Sequence, residues 1–455
     1  MKEKIDHVSH TTHKINHMKK KYSFRKFSND IHLWLGIASG LVLFVVCLTG
    51  TILTFEKEIV EWADADRYRV EAPAGAAAIP IDQLVTKTEA GLKGKVTGIE
   101  IPANPNAVYR FTVQEKGPKG DKAEKGGSGG AEKAKAPGEG KGKPEGGPDA
   151  KGAKGGKGGG GGGKTYLVNP YNGDITGTTK SATAEFFSTM MGLHRWLLMQ
   201  DSGGKIIVGA ATIIFVFLVL SGIVLWWPIK LRNWKQGLQI KFSGNWKRIN
   251  HDLHNTLGFY SFLVLLVMAL TGLCWSFEWY KKGLSDVLGD EVFKQRKEKP
   301  MASDPLNAGT AEKPMLAALI ATADQSFPYE GNYRLRFPAD SAGSYVINKS
   351  RTGFFALTAA DKIQFEQYTG AVLKTEKFSD KPFNQQLAGS VRSLHLGDIF
   401  GTFSKIIYFL ACLFATSLPV TGTIIWINKL RKKNKQKSSN RRKIQRLQQH
   451  QPVTS

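Results

Sequence analysis

The chain has 455 residues, 42% of them apolar, three cysteines and a formal charge of +25. Its mean hydropathy of -0.23 suits a soluble protein until the apolar residues are located, because they are bunched into four runs. Cys47, Cys274 and Cys412 all lie inside those runs, which excludes a disulfide framework in the polar regions. The positive charge is divided among regions flanking and separating the runs, which favours anionic lipid over nucleic acid as its partner.

In chain order, a basic tail at 1–30 leads into an apolar run at 31–55. A polar region at 56–204 follows, interrupted at 115–164 by a tract rich in glycine and lysine. That tract cannot bury enough surface to offset its ordering entropy, and is predicted to be disordered. A second run at 205–228, a basic connection at 229–252 and a third run at 253–277 come next, then a polar region at 278–403, a fourth run at 404–428 and a basic tail at 429–455. Each run approaches or exceeds the roughly 20 residues that a helix needs to cross a hydrocarbon core, so four transmembrane helices are predicted.

Basic residues set the orientation. Lys19, Lys20, Lys21, Arg25 and Lys26 precede the first run, Lys230 to Arg248 join the second and third, and Lys429 to Arg446 follow the fourth. By the positive-inside rule these regions and both termini are cytoplasmic, and 56–204 and 278–403 lie outside. The lysine-rich tract does not oppose this, because long loops cross largely regardless of charge.

The runs repeat. His32, Gly36, Leu48-Thr49-Gly50 and Phe55-Glu56 return 222 positions later as His254, Gly258, Leu270-Thr271-Gly272 and Phe277-Glu278. Leu193-His194, Ser221-Gly222 and Trp226 return as Leu394-His395, Thr421-Gly422 and Trp426, at an offset of 201 for the histidine and 200 in the run. The slip of one residue implies a break between each histidine and its run. The outer regions also correspond: a helix at 81–92 and strands at 97–101 and 109–113 precede Asn172-Gly173, and a helix at 315–324 and strands at 333–337 and 344–348 precede Thr369-Gly370. The predicted fold is therefore a membrane α-helical protein with a duplicated two-helix unit, each unit carrying a small extracytoplasmic α+β module.

Four histidines at matching positions carry the chemistry. His32 and His254 open spans one and three on the cytoplasmic side, whereas His194 and His395 approach spans two and four from outside. Two imidazoles on different helices can clamp haem iron axially, leaving a low-spin centre suited to electron transfer. The inner and outer histidines are about 25–30 Å apart by helical rise, so two cofactors are required if all four are ligands. Gly36 and Gly258, each four residues after a histidine, share its helix face and would let a porphyrin approach the backbone. The competing readings are a non-haem metal, or interfacial anchors and helix caps. His251, one turn before His254, is an alternative ligand. Arg195 and Arg392 suit pairing with haem propionates or serve as interfacial cations. Glu56 and Glu278 are proton-shuttle candidates or solvated acids, and the Thr-Gly and Ser-Gly pairs mark close helix contacts.

The repeated His-x-x-x-Gly and Leu-Thr-Gly elements, the Tyr-Asn-Gly and Tyr-Thr-Gly turns (Tyr171 to Gly173 and Tyr368 to Gly370) and the Leu-His elements resemble the PepSY-associated transmembrane helix proteins of bacterial inner membranes. The likeness runs from about Ser23 to Lys429, apart from the glycine-lysine tract. The resemblance implies two PepSY-like modules and two b-type haems, and a multi-pass inner-membrane protein that passes electrons outward to a ferric siderophore or similar chelate. By position, His32, His194, His254 and His395 match the family's membrane histidines. Chain-level signals for dinucleotide or nucleotide binding are missing, so the expected donor is quinol or another protein. A cleft between the modules, with Arg334, Arg336 and Arg351 as contacts, is the expected place for the chelate. The rival function is a non-catalytic scaffold whose modules bind peptides or restrain an envelope enzyme.

Overall fold

The structure, a computed structural model, describes residues 23–73, 75, 77–115, 163–294, 298–309 and 314–449. The glycine-lysine tract, apart from its ends, and the basic tail before residue 23 lie outside these residues.

The helix α1 spans Phe24–Leu53, starting a turn and more before the apolar run, because Ser23 caps it and accepts from the Lys26 N–H at 3.3 Å. Short helices α2 (Glu56–Ala63) and α3 (Ala65–Tyr68) follow, then α4 (Ile81–Leu92) and strands β1 (Gly94–Ile101), β2 (Tyr109–Glu115), β3 (Lys164–Val168) and β4 (Ile175–Thr178). The helix α5 (Ala182–Trp196) turns into α6 (Gly204–Trp226). In the second half, α7 (Trp246–Ser276) is capped by Asn245, whose side chain accepts from the Arg248 N–H at 3.0 Å. It leads to α8 (Glu278–Leu288), α9 (Leu316–Ser326), β5 (Gly331–Arg336), β6 (Ser344–Arg351), β7 (Ala360–Glu366), β8 (Val372–Glu376) and α10 (Phe383–Leu396). The last helix, α11 (Gly401–Gln449), continues well past the apolar run into the basic tail.

Among the described residues four helices, α1, α6, α7 and α11, are long and apolar enough to cross a membrane. They close a ring in which α1 packs on α6 and α11, and α7 packs on the same two. Large apolar side chains face outward from it, among them Trp34, Leu41, Ile206 and Leu263. Such a surface is stable in lipid, and the helices satisfy their own backbone there. Arg25 fastens α1 to α6: its guanidinium donates to the carbonyls of Leu225 at 2.6 Å and Trp227 at 2.7 Å, satisfying the end of α6.

The two expected modules meet in one sheet. Its order is β4-β3-β2-β1-β5-β6-β7-β8, antiparallel throughout, and β1 joins β5 with Ile99 opposite Leu335. Helices α4 and α9 lie on one face, over a single core to which both halves contribute Leu84, Phe111, Leu319, Leu335, Ile347 and Phe365. The side chain of Asp82 caps α9, accepting from the Leu316 N–H at 2.8 Å. A substrate cleft between two separate modules is therefore corrected: main-chain hydrogen bonds close that line. The 115–164 tract departs from a hairpin, since Val113 pairs with Lys164, and Lys164 reaches Glu115 at 2.9 Å.

Candidate functional site

The four histidines converge in two pairs. His32 from α1 and His254 from α7 face each other with ring centres 6.2 Å apart and planes at 90°. His194 from α5 and His395 from α10 do the same at 6.3 Å and 55°. The second pair lies on the sheet side of the bundle, and the first at its far end. Helices α5 and α10 each end within a turn of their histidine. Left-handed residues, Leu197 and Leu198 in one and Gly397 in the other, then reverse the chain into the next span. That reversal is the break implied by the slipped offset.

One hydrogen-bond scheme fixes all four rings. His194 Nδ1 donates to the Val46 carbonyl at 2.9 Å, with Thr49 Oγ1 at 3.3 Å. His395 Nδ1 donates to the Met268 carbonyl at 2.9 Å, with Thr271 Oγ1 at 3.2 Å. A carbonyl only accepts, so both rings carry the proton on Nδ1. At the far end, His32 Nδ1 lies 2.9 Å from Ser221 Oγ, and His254 Nδ1 lies 2.9 Å from Thr421 Oγ1. Ser221 donates its own proton to the Phe217 carbonyl at 2.7 Å, and Thr421 donates to Ser417 at 3.0 Å. Each hydroxyl has a single proton, so each must accept from the imidazole. All four side chains thus turn a bare Nε2 lone pair away from their anchors.

The dipeptides read as helix contacts make these anchors. The hydroxyl holds the imidazole and the following glycine gives it room. A Cβ on Gly50 would stand 3.2 Å from His194 Cε1, one on Gly272 2.9 Å from His395 Cε1, and those on Gly222 and Gly422 3.4 and 3.3 Å from His32 and His254. Sequence reasoning found the pairs and missed this use; the signal was their position near the same level as a histidine on another helix. Gly36 and Gly258 are different: an added Cβ would meet only Leu218 at 3.7 Å and Leu418 at 4.0 Å, ordinary contacts.

The remaining predicted residues divide. His251 is exposed and turns to Asp252 at 3.8 Å, so the ring opposite His32 is that of His254. The Arg195 guanidinium lies 4.9 Å over the Trp196 ring. Glu278 pairs with Lys281 at 2.5 Å, and Glu56 stands at the start of α2, where burial raises its carboxyl above the ordinary range against the pull of Lys405. Arg334 and Arg336 share the sheet face away from α4 and α9, where Arg334 pairs with Glu100. Arg351, opposite Gly331, is on the other face, 4.0 Å over Tyr329, so the three arginines form no common site. The sequence also gave no reason to single out Trp275, whose ring lies 5.1 Å from that of His395.

The profile of the PepSY-associated TM region matches residues 30–429, the four spans, both histidine pairs and the whole sheet. The chain belongs to this family. It is a multi-pass membrane protein, and the PepSY-associated region takes in every residue of the hydrogen-bond scheme above. No curated protein matches the chain.

Proposed function

We propose that this PepSY-associated membrane protein is a reductase that holds two b-type haems and carries electrons across the bacterial inner membrane to a ferric siderophore or similar ferric chelate on the sheet side. The observation that carries the reading is the pair of facing imidazoles at each end of the bundle, every one anchored through Nδ1. Two metal–imidazole bonds of about 2 Å, each with about 1 Å more to the ring centre, add up to about 6 Å between centres. The distances are 6.2 and 6.3 Å. Among the described residues no three His, Cys, Asp or Glu side chains gather as a metal site, so a bare ion would lack ligands, whereas a porphyrin brings four of its own.

Haem iron between two imidazoles supplies one-electron chemistry without binding a substrate itself. The chain's part is to hold the ligands. Anchoring Nδ1–H to a carbonyl or committed hydroxyl fixes the tautomer, orients the ring and makes Nε2 a better donor. His194 meets α1 at Val46 and Thr49, so the two levels stand about 21–26 Å apart along that helix. This is a little less than the interval expected from the span alone. Gly36 and Gly258 keep backbone open beside the inner pair, and Arg195 is a cation beside the outer one for a propionate. An offset of 222 relates Val46 and Thr49 to Met268 and Thr271, and one of 200 relates Ser221 to Thr421, supporting a duplicated unit and two PepSY-like modules fused edge to edge. Basic flanks at the far end support cytoplasmic termini, with quinol or a protein as donor. One added electron weakens a hard oxygen-donor chelate of iron, which releases the metal.

The test is spectroscopic. Purified protein, expressed with ample haem, should give a reduced-minus-oxidised spectrum of b-type haem at two haems per chain. After dithionite reduction without oxygen it should be reoxidised by ferric citrate or a ferric trihydroxamate. A His395→Ala variant should lose the outer haem and reoxidise slowly. No haem, or no response to either chelate, would overturn the reductase and return the choice to a peptide-binding scaffold.

A further inference from the structure

Beyond the histidines the two halves are not equivalent. At the offset of 222, Trp275 corresponds to Leu53, and at the offset of 201, Arg392 corresponds to Met191. The second half therefore has an aromatic ring and a guanidinium where the first has apolar chains. Both stand at the outer histidine pair: Trp275 lies 5.1 Å from the His395 ring, and Arg392 precedes His395 by one turn of α10. Trp275 in turn lies 4.6 Å from the ring of Phe293. Phe293 has a φ of +67°, a strained conformation for a bulky side chain, held in the core of Cys274, Val292, Ala388 and Val391.

Phe293 and Arg392 line the same cavity, of about 240 Å³, between α10, β8 and the segment after α8. Most of its charge is internally spent. Lys294 pairs with Asp290 at 3.1 Å, and Lys374 and Lys381 pair with Glu376 at 2.7 and 3.2 Å. Arg392, by contrast, is exposed and pairs with no carboxylate among the described residues. The lining carries four acids, Asp290, Glu291, Glu298 and Glu376, against three lysines and Arg392, and Glu298 is itself spent on Lys362 at 2.8 Å, so the exposed guanidinium is the group suited to the oxygens of an anionic ligand. The volume is below the roughly 300 Å³ at which pockets begin to enclose a whole drug-sized ligand, so it takes one edge of a larger molecule.

We propose that this cavity on the second half is the docking site for the anionic edge of the ferric chelate, and that Trp275 and Phe293 form the electron exit from the His395 side into it. The inference rests on the reductase reading above. The step would be a one-electron transfer: a haem held by His194 and His395 would supply the electron, chelated Fe(III) would take it up as Fe(II), and no bond or proton would be exchanged within the protein. Electron transfer falls off steeply with the gap crossed, and two tilted rings with centres 5.1 and 4.6 Å apart in succession divide the gap into short contacts. Leu53, the counterpart of Trp275, puts no ring at that position in the first half.

Binding and rate are read separately. Gallium(III) citrate and a gallium(III) trihydroxamate copy the ferric chelates but accept no electron under these conditions. Their binding, measured by calorimetry on the purified full chain, should weaken about tenfold in Arg392→Gln for at least one chelate, the loss of one charge-assisted contact. Trp275→Leu should bind the same gallium chelate as wild type, keep both haems and their spectrum, and be reoxidised severalfold more slowly by its ferric form. Trp275→Phe should restore most of the rate. Unchanged gallium binding in Arg392→Gln, or a loss of haem in that variant, which would mark Arg392 as a propionate partner, overturns the docking site. Wild-type reoxidation in Trp275→Leu overturns the exit while leaving the reductase standing; a protein without haem defeats the reductase reading itself.

Discussion

On the two-haem proposal, Gly272→Ala should remove the outer haem and spare the fold. The new Cβ would stand 2.9 Å from His395 Cε1 and 3.4 Å from Nδ1. Carbon atoms pack comfortably at about 3.5–4.0 Å, so the ring must retreat by about 0.6–1 Å. It cannot slide freely, because Nδ1 is tied to Met268 and Thr271 of the same helix that carries the alanine. Ligand distances tolerate only about 0.2 Å of error, so the displacement exceeds what a metal bond accepts. The helix itself gains from alanine, by up to about 1 kcal/mol in a helix interior. The other glycines grade the effect: Gly50→Ala at 3.2 Å should lose less haem, and Gly422→Ala and Gly222→Ala at 3.3 and 3.4 Å least. Haem per chain, from reduced spectra of each purified variant, ranks them, and thermal unfolding checks the fold. Full haem occupancy in Gly272→Ala, or a larger loss in Gly222→Ala, would refute the reasoning.

Three other outcomes follow from the same geometry. Gly36→Ala meets only Leu218 at 3.7 Å, so the helix bundle should tolerate it; a fall in inner haem at unchanged melting temperature would show that the cofactor needs that space, and full haem would remove Gly36 from the site. Thr421→Val leaves His254 Nδ1 without its acceptor, and should weaken haem retention at the inner pair about 10–100-fold with the outer pair intact, read by haem transfer to apomyoglobin. For Glu376, burial alone would raise the carboxyl, but Lys374, Lys362 and Lys381 outweigh it and hold it at about 2, below its ordinary 4.5. A lowered carboxyl stabilises the fold in full above its unfolded value and loses that contribution as pH falls toward the folded one. The stability of wild type over Glu376→Gln, about 1–2 kcal/mol near neutral pH after solvent screening, should therefore narrow from about pH 4.5 downward in thermal unfolding.

Much of this architecture was legible because membrane and repeat signals are strong. Long apolar runs and fixed offsets place the spans and pick out four histidines. Their starts were not legible from hydropathy, since Ser23 and Asn245 set the first and third helices by capping, which begins them in polar sequence. The joining of the strands from both halves into one sheet was also hidden. Local alternation identifies β1 and β5 as strands, but says nothing of which edge each will cover, and here the exposed edge of one half is closed by the other. The split of Arg334 and Arg336 from Arg351 has the same origin: faces within a strand follow from alternation, whereas faces between strands need the register, which puts Gly331 opposite Arg351.

The hydroxyl-glycine pairs show why the site was only half visible. In lipid-exposed helices small residues are read as packing contacts, and a Thr or Ser is read as bonded to its own backbone. Both readings hold here, since Ser221 and Thr421 do bond backwards. That back-bond is what makes them useful: it spends the hydroxyl proton, so the oxygen can only accept, and the imidazole opposite can only present Nε2. The same anchor occurs at four places with two chemistries, a hydroxyl at the far end and a carbonyl backed by a threonine on the sheet side. Symmetry of that kind suits holding two equal groups, and the departures from it that reach the second-half cavity, Trp275 and Arg392, point to something that side does. In the reductase proposed above, donation of the electron is such a task. An acceptor that meets the protein at one point needs one exit, so the half that lost symmetry is the half where the substrate is to be sought.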